Sequence, residues 1–193
     1  MTAENHEKTL IIGDSILKYI EDWTQEIKLI THSTRNIKVT CIRGCTFKKI
    51  YQKLTENTVQ IQDYKTIIIH LGTNDLDTYP NRKVNFYFVQ LVDKIKQHNP
   101  QAILTISTPI PRPKDHQTTH GKIKKFIKWL LDNRTKGKYS VWRSDKTFLQ
   151  KARNNQTPGI RDPTDYHKDG LHINRKGTQR LIQQLKMALS YGH

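Results

Sequence analysis

The chain is poor in cysteine, in acidic residues and in long apolar runs, and each shortage narrows what it can be. Two cysteines occur among 193 residues. Cys41 and Cys45 stand four apart with no second pair, which offers neither a disulfide framework nor a zinc site, so no metal is expected. A reducing, cytoplasmic setting is the corresponding expectation. No apolar run approaches the roughly 18 residues that a membrane-spanning helix needs. Glu4 and Glu7 precede an apparent strand at Thr9, which leaves no room for a secretory leader. A soluble, intracellular protein is therefore expected. With 35% apolar residues, a single domain over 1–193 is expected, long enough to bury roughly 70% of the surface its unfolded chain exposes.

The shortage of acid is the sharpest of the three. Asp and Glu number 17 against 33 Lys and Arg, a formal charge of +16, which implies attraction to polyanions such as RNA, DNA or an anionic membrane surface. The charge is clustered. "GKIKKFIKWLLDNRTKGK" carries Lys122, Lys124, Lys125, Lys128, Arg134, Lys136 and Lys138. Lys124, Lys125 and Lys128 fall opposite Ile123, Ile127 and Leu130 on a helix, so they are expected in solvent and within reach of phosphates. A solubilising face is the plainer alternative.

What is present is a regular alternation. Short, β-branched runs at Thr9–Ile12, Ile37–Ile42, Thr66–Leu71, Ala102–Ser107 and Tyr139–Trp142 read as strands. Helical stripes lie between them: Phe47, Ile50, Tyr51 and Leu54; Phe88, Leu91, Val92 and Ile95; Ile123, Ile127, Leu130 and Leu131. A final helix is expected after Asn174 as its cap, burying Leu181, Ile182, Leu185 and Leu189. Strands alternating with helices argue for a parallel sheet covered on both faces, with sites at the C-terminal strand ends. "TPIPRPKDHQTTH" and "RNNQTPGIRDPTDYHKDG" read as long functional or mobile loops.

The strand ends then supply a chemical set. The first ends in Gly13-Asp14-Ser15, the second in "IRGCT" with Gly44, the third in "HLGTNDL" with Asn74 and Asp75. "DGLH", with Asp169 and His172, precedes the last helix. Alone, each is a turn motif or a solvated side chain. Together they provide a hydroxyl nucleophile at a strand-to-helix corner, a base, an acceptor to orient that base, and donors for an oxyanion. His167 is a rival base, and Asp162 and Asp165 are rival acids. His70, inside an apolar strand, reads as a core residue with a hydrogen-bond partner.

In this order, and spanning about Thr9 to Leu189, these motifs resemble the SGNH (GDSL-type) hydrolase superfamily. The resemblance implies a three-layer α/β/α sandwich with a five-stranded parallel sheet, flavodoxin-like in class, and cofactor-free hydrolysis of a small ester or lipid. It implies Ser15 as nucleophile, His172 as base and Asp169 as its orienting acid. The oxyanion hole would be the Ser15 and Gly44 N–H groups with the Asn74 side-chain amide, and Asp14, Thr73 and Asp75 would support the loops. Two positions depart from the family pattern without removing a chemical group: Ile16 replaces the usual Leu, and Cys45 follows the second-block Gly. A small, basic domain of this kind is also similar to the esterase domain in the first-open-reading-frame protein of some LINE-type retrotransposons. Two function classes follow: an esterase for short acyl esters, or an SGNH scaffold that binds RNA or anionic membrane.

Overall fold

The β-branched runs of the sequence pair side by side. In a computed structural model, which describes residues 8–21, 36–134, 137–151 and 158–190, β1 (Lys8–Gly13), β2 (Asn36–Cys41), β3 (Thr66–His70), β4 (Ile103–Ser107) and β5 (Ser140–Trp142) form one sheet. Its order is β2-β1-β3-β4-β5 and every pairing is parallel. Each strand lies within two residues of its expected position.

Alternation along the strands sorts side chains to two faces. Leu10, Ile12, Ile67, Ile69, Leu104 and Ile106 pack against α2 (Phe47–Thr55), α4 (Asn81–His98) and α5 (His116–Asp132), with Phe47, Phe88 and Phe126 among them. Ile11, Ile37, Val39 and Ile68 face the other way. They meet Leu17 and Ile20 around the short α1 (Lys18–Glu21), Phe148 of α6 (Asp145–Phe148), and Leu181, Ile182 and Leu185 of α7 (Arg175–Ser190). The result is the three-layer sandwich. β2 is an edge strand, and Lys38 on its outer face is exposed.

Several expectations change in detail. Leu131 is exposed, and Phe126 takes its place in the inward stripe of α5. The face of α5 that meets the sheet is spaced 123, 126, 127, 130, and position 131 has rotated past it. The acidic turn after β3 is a helix, α3 (Thr73–Thr78), entered through Gly72 at a φ of +114°. The proline-rich segment after β4, expected as a long functional or mobile loop, is buried over its first part. Thr108 to Arg112 are buried, Pro113–Asp115 form a 3₁₀ turn, and α5 is already under way at His116. Its threonines point back into the turn, with Thr118 and Thr119 hydroxyls donating to the Asp115 carbonyl. Asn174 caps α7, its Oδ1 accepting from Lys176 N and Gly177 N. The side chain of Leu189 and residues 152–157 of the second long loop lie outside the described residues.

Gly13 ends β1 because nothing larger fits. A Cβ there would stand 2.4 Å from Leu17 Cδ1 and 2.7 Å from the His70 carbonyl oxygen. Leu17 is a flexible neighbour, but His70 O belongs to the paired strand and yields only if the sheet moves. Gly13→Ala is expected to destabilise the fold by about 2–3 kcal/mol, lowering Tm by roughly 5–10 °C. A thermal melt within 1 or 2 °C of the parent would rule out this steric account.

Candidate active site at the strand ends

The strand order places the site. β1 connects outward to β2, and the chain then crosses to β3 on its other side, so the crevice between the ends of β1 and β3 lies at a topological switch point. The loops after β1, β2 and β3 meet there.

After β1 the backbone turns at once. Asp14 is extended, and its Oδ1 accepts from Ile16 N at 3.0 Å, capping a 3₁₀ turn over Ser15–Leu17. Ser15 therefore stands at the first position of a turn, half-buried, with Oγ 3.0 Å from His172 Nε2. His172 comes from a tight loop before α7. Asp169 Oδ1 accepts from Leu171 N (2.8 Å) and His172 N (3.0 Å), and Gly170 makes the bend at φ +62°. Asp169 Oδ2 stands 2.7 Å from His172 Nδ1. A carboxylate can only accept, so Nδ1 carries the proton and Nε2 presents its lone pair to the Ser15 hydroxyl. The His172 hydrogen bond, with the two backbone N–H groups, holds the Asp169 carboxyl well below the usual carboxylate range. Ser15, His172 and Asp169, 157 residues apart at the extremes, form one continuous hydrogen-bonded chain.

Asn74 lies at the start of α3, one residue past Thr73. Its Nδ2 donates to Asp14 Oδ2 at 3.2 Å and to the Cys45 carbonyl at 3.0 Å, so the amide bridges the loops of β1 and β2. The β2 loop is fastened twice more, by Ile42 N to Gly13 O (2.9 Å) and by Cys41 Sγ to Asp14 O (3.1 Å). Gly44 sits in that loop, exposed, at φ +60°. Among the described residues, no acceptor takes the Ser15 or the Gly44 backbone N–H. Asp75 accepts from Phe47 N at 3.0 and 3.3 Å and ties α3 to the start of α2.

Two of these carboxyls are deeply buried: Asp14 is 2% exposed and Asp75 is fully covered. Burial pushes Asp14 up to about 6 and Asp75 up to about 7, against the hydrogen bonds each accepts. Each also raises Cys45, whose thiol burial pushes up to about 12, so that sulfur is no nucleophile.

The rival groups are engaged elsewhere. His167 packs its ring on Tyr19, centroids 5.6 Å apart. Asp162 caps Pro163–Asp165 and pairs with Lys176, and buried Asp165 pairs with Arg180 at 2.7 Å. His70 is buried with Nδ1 2.8 Å from Ser107 Oγ, and burial pushes it down to about 4. Lys124, Lys125 and Lys128 are exposed on α5, Lys128 pairing with Asp132. They lie eight or more residues along a helix that runs away from the site, about 12 Å or more from its start. Sequence reasoning missed Arg112, and it did not foresee that Asp14 and Asp75 would be buried acceptors. Among the described residues, no cluster of His, Cys, Asp or Glu could hold a metal ion, and no helix is long and apolar enough to cross a membrane.

The OSK domain family model matches residues 2–191. No curated protein matches the sequence. Among solved structures, the lipase Lip_vut3 from a goat rumen metagenome aligns at a TM-score of 0.72 with 13% identity, covering 94% of this chain and 97% of that one. A lipolytic G-D-S-L family member from Veillonella parvula aligns at 0.69 with 13% identity over 96% and 99%. The esterase EstA from a Pseudoalteromonas species aligns at 0.68 with 18% identity over 95% and 97%. At such identities the likeness is one of fold, and the fold is that of the SGNH/GDSL hydrolases.

The raised Asp75 carboxyl has a testable sign. Its folded pKa, about 7, lies above its unfolded value of 3.8, so the folded state binds the proton more tightly. The stability that Asp75 contributes is then greatest below 3.8 and is lost as pH rises towards and past 7. Asn accepts from Phe47 N at any pH. The stability deficit of Asp75→Asn relative to the parent is therefore expected to shrink, by an amount on the order of a few kcal/mol, between pH 4 and pH 8. Denaturant unfolding of both proteins across that range measures it, and a pH-independent difference would refute the burial account.

Proposed function

The chain belongs to the OSK domain family, and we propose that this member is a serine esterase for short acyl esters, acting within a retrotransposon-encoded protein. The observation that carries the chemistry is the hydrogen-bonded chain from Ser15 Oγ through His172 to Asp169. His172 Nε2 takes the Ser15 proton as Oγ attacks the ester carbonyl, and Asp169 stabilises the imidazolium that forms. The tetrahedral oxygen is received by the Ser15 and Gly44 N–H groups. Asn74 contributes when the oxyanion displaces Cys45 O from one Nδ2 proton, a contact stronger for the developing negative charge than for a neutral carbonyl. His172 then protonates the leaving alcohol, and water attacks the acyl-enzyme by the same base catalysis. The triad stands half exposed at the crevice mouth, which suits a small or protruding acyl group.

Ser15→Ala and His172→Ala are expected to reduce hydrolysis of a chromogenic acetyl ester to near background with the fold unchanged. Asn74→Ala should lower kcat by about 10²–10³ with a smaller change in KM. Parent-like turnover by purified Ser15→Ala would reject the nucleophile.

A second activity rests on a separate observation, the exposed lysines of α5. The reading is that they dock RNA or an anionic membrane on a face remote from the triad. Replacing Lys124, Lys125 and Lys128 with Glu changes the net charge from +16 to +10, two per substitution. The triple variant should bind single-stranded RNA and anionic vesicles more weakly, with a shallower salt slope, while hydrolysing a neutral ester normally. Equal binding by variant and parent would make this face a solubilising surface.

A further inference from the structure

The loop between β4 and α5 holds a buried guanidinium that the esterase chemistry does not use. Arg112 is 6% exposed and is gripped by two carboxylates. Its Nη1 and Nη2 donate to Asp77 Oδ2 and Oδ1 at 2.5 and 2.6 Å. Its Nε donates to Asp115 Oδ1 at 3.1 Å, and Nη2 also donates to Asp115 Oδ2. Such paired, planar contacts fix direction as well as distance, and a lysine cannot reproduce them.

Asp77 lies three residues after Asn74 on α3, the helix that carries the proposed oxyanion donor. The same loop packs on that helix at its entrance, where a Cβ on Gly72 would meet Pro109 Cγ at 2.8 Å. On its other side, the loop grips the segment that holds Asp169 and His172. Lys114 N donates to Gly170 O at 3.1 Å, and the Tyr166 hydroxyl donates to Pro111 O at 2.6 Å. Gly170 is close enough to Lys114 that a Cβ would come within 3.0 Å of its backbone nitrogen. One short loop thus touches the elements carrying both halves of the proposed site, and Arg112 anchors it to α3.

We infer that Arg112 is a positioning residue: through Asp77 and Asp115 it fixes the Asn74-bearing helix relative to the loop carrying Asp169 and His172, and so sets the gap that an acyl carbonyl must fill. The inference rests on the esterase reading for its consequence in turnover, but the clasp itself is a property of the fold. Asp77 and Asp115 are partly exposed, at 41% and 27% of their side-chain surface, and in Asp77→Asn the buried Arg112 guanidinium keeps Asp115 as its counter-charge.

The test pairs kinetics with hydrogen exchange in Arg112→Lys, with Asp77→Asn as a second variant should the first fail to fold. In the parent background either substitution is expected to lower kcat about 10- to 100-fold with KM little changed, as a small misplacement of reacting groups does. Combined with Asn74→Ala, Arg112→Lys should lower kcat much less than it does alone, because the donor it positions is gone. Fully additive losses, the result for a purely structural residue, would overturn the inference, as would an unchanged kcat in the parent background. Backbone exchange should accelerate over Thr73–Thr78 and Tyr166–His172 and stay constant in β1, β3 and β4. Unchanged exchange at both segments would remove the clasp whether or not the protein hydrolyses esters. Parent-like turnover by Ser15→Ala would instead reject the esterase and leave exchange to decide the clasp.

Discussion

The arrangement of the strand ends depends on one buried carboxylate. Asp14 Oδ1 takes the Ile16 N–H and so forms the turn on which Ser15 stands, while Oδ2 takes the Asn74 amide from the far side of the crevice. One side chain thereby sets both the nucleophile's corner and the position of the proposed oxyanion donor. Its burial is unfavourable for the charge, as its upward-shifted pKa records. The Ile16 N–H and the nearby Arg112 guanidinium offset that penalty in part. A neutral isostere could accept one N–H but would present its own NH₂ to the other, so the site calls for an acceptor on both sides.

Much of this was legible in the sequence, for physical reasons. β-branched runs report strands in a doubly covered parallel sheet because central strands there are buried on both faces, as in the Ile-Ile-Ile-His of β3. Asp-Gly-Leu-His was readable because the three-residue spacing lets Asp169 accept from the His172 backbone and ring together. Gly13 is legible in retrospect as a close approach to a neighbouring backbone, a constraint no single-sequence pattern states. The hydrogen-bonded set of Ser15, Asp169 and His172 was expected in its membership. The bonding of Asn74 to Cys45 O was not, since it depends on where the β2 loop folds back.

Arg112 shows where sequence reading stops. Flanked by prolines at 111 and 113, it lies in a segment that the sequence marks only as a long functional or mobile loop. Its burial depends on partners distant in sequence: the Tyr166 hydroxyl donates to the loop's Pro111 carbonyl, and two carboxylates separated from each other by 38 positions converge on its guanidinium. Net charge therefore misleads at the level of single residues. Among 33 basic side chains, this one is a structural counter-ion, while Lys124 and Lys125 stand in solvent.

That division bears on how one small domain could combine hydrolysis with attraction to polyanions. The strand-end crevice rests on the buried Asp14 and Asp75 carboxyls, whose interactions salt screens weakly because water is excluded from them. Lys124, Lys125 and Lys128 are exposed, so any phosphate contact they make is a counterion-release effect and is strongly screened. The crevice residues come from the ends of β1, β2 and β3 and from the loop before α7, the lysines come from α5, and the two sets share no residue. Each can therefore change in sequence without disturbing the other, and a chain of this fold can keep its crevice while its basic face varies, or keep its basic face while the crevice loses Ser15 or His172.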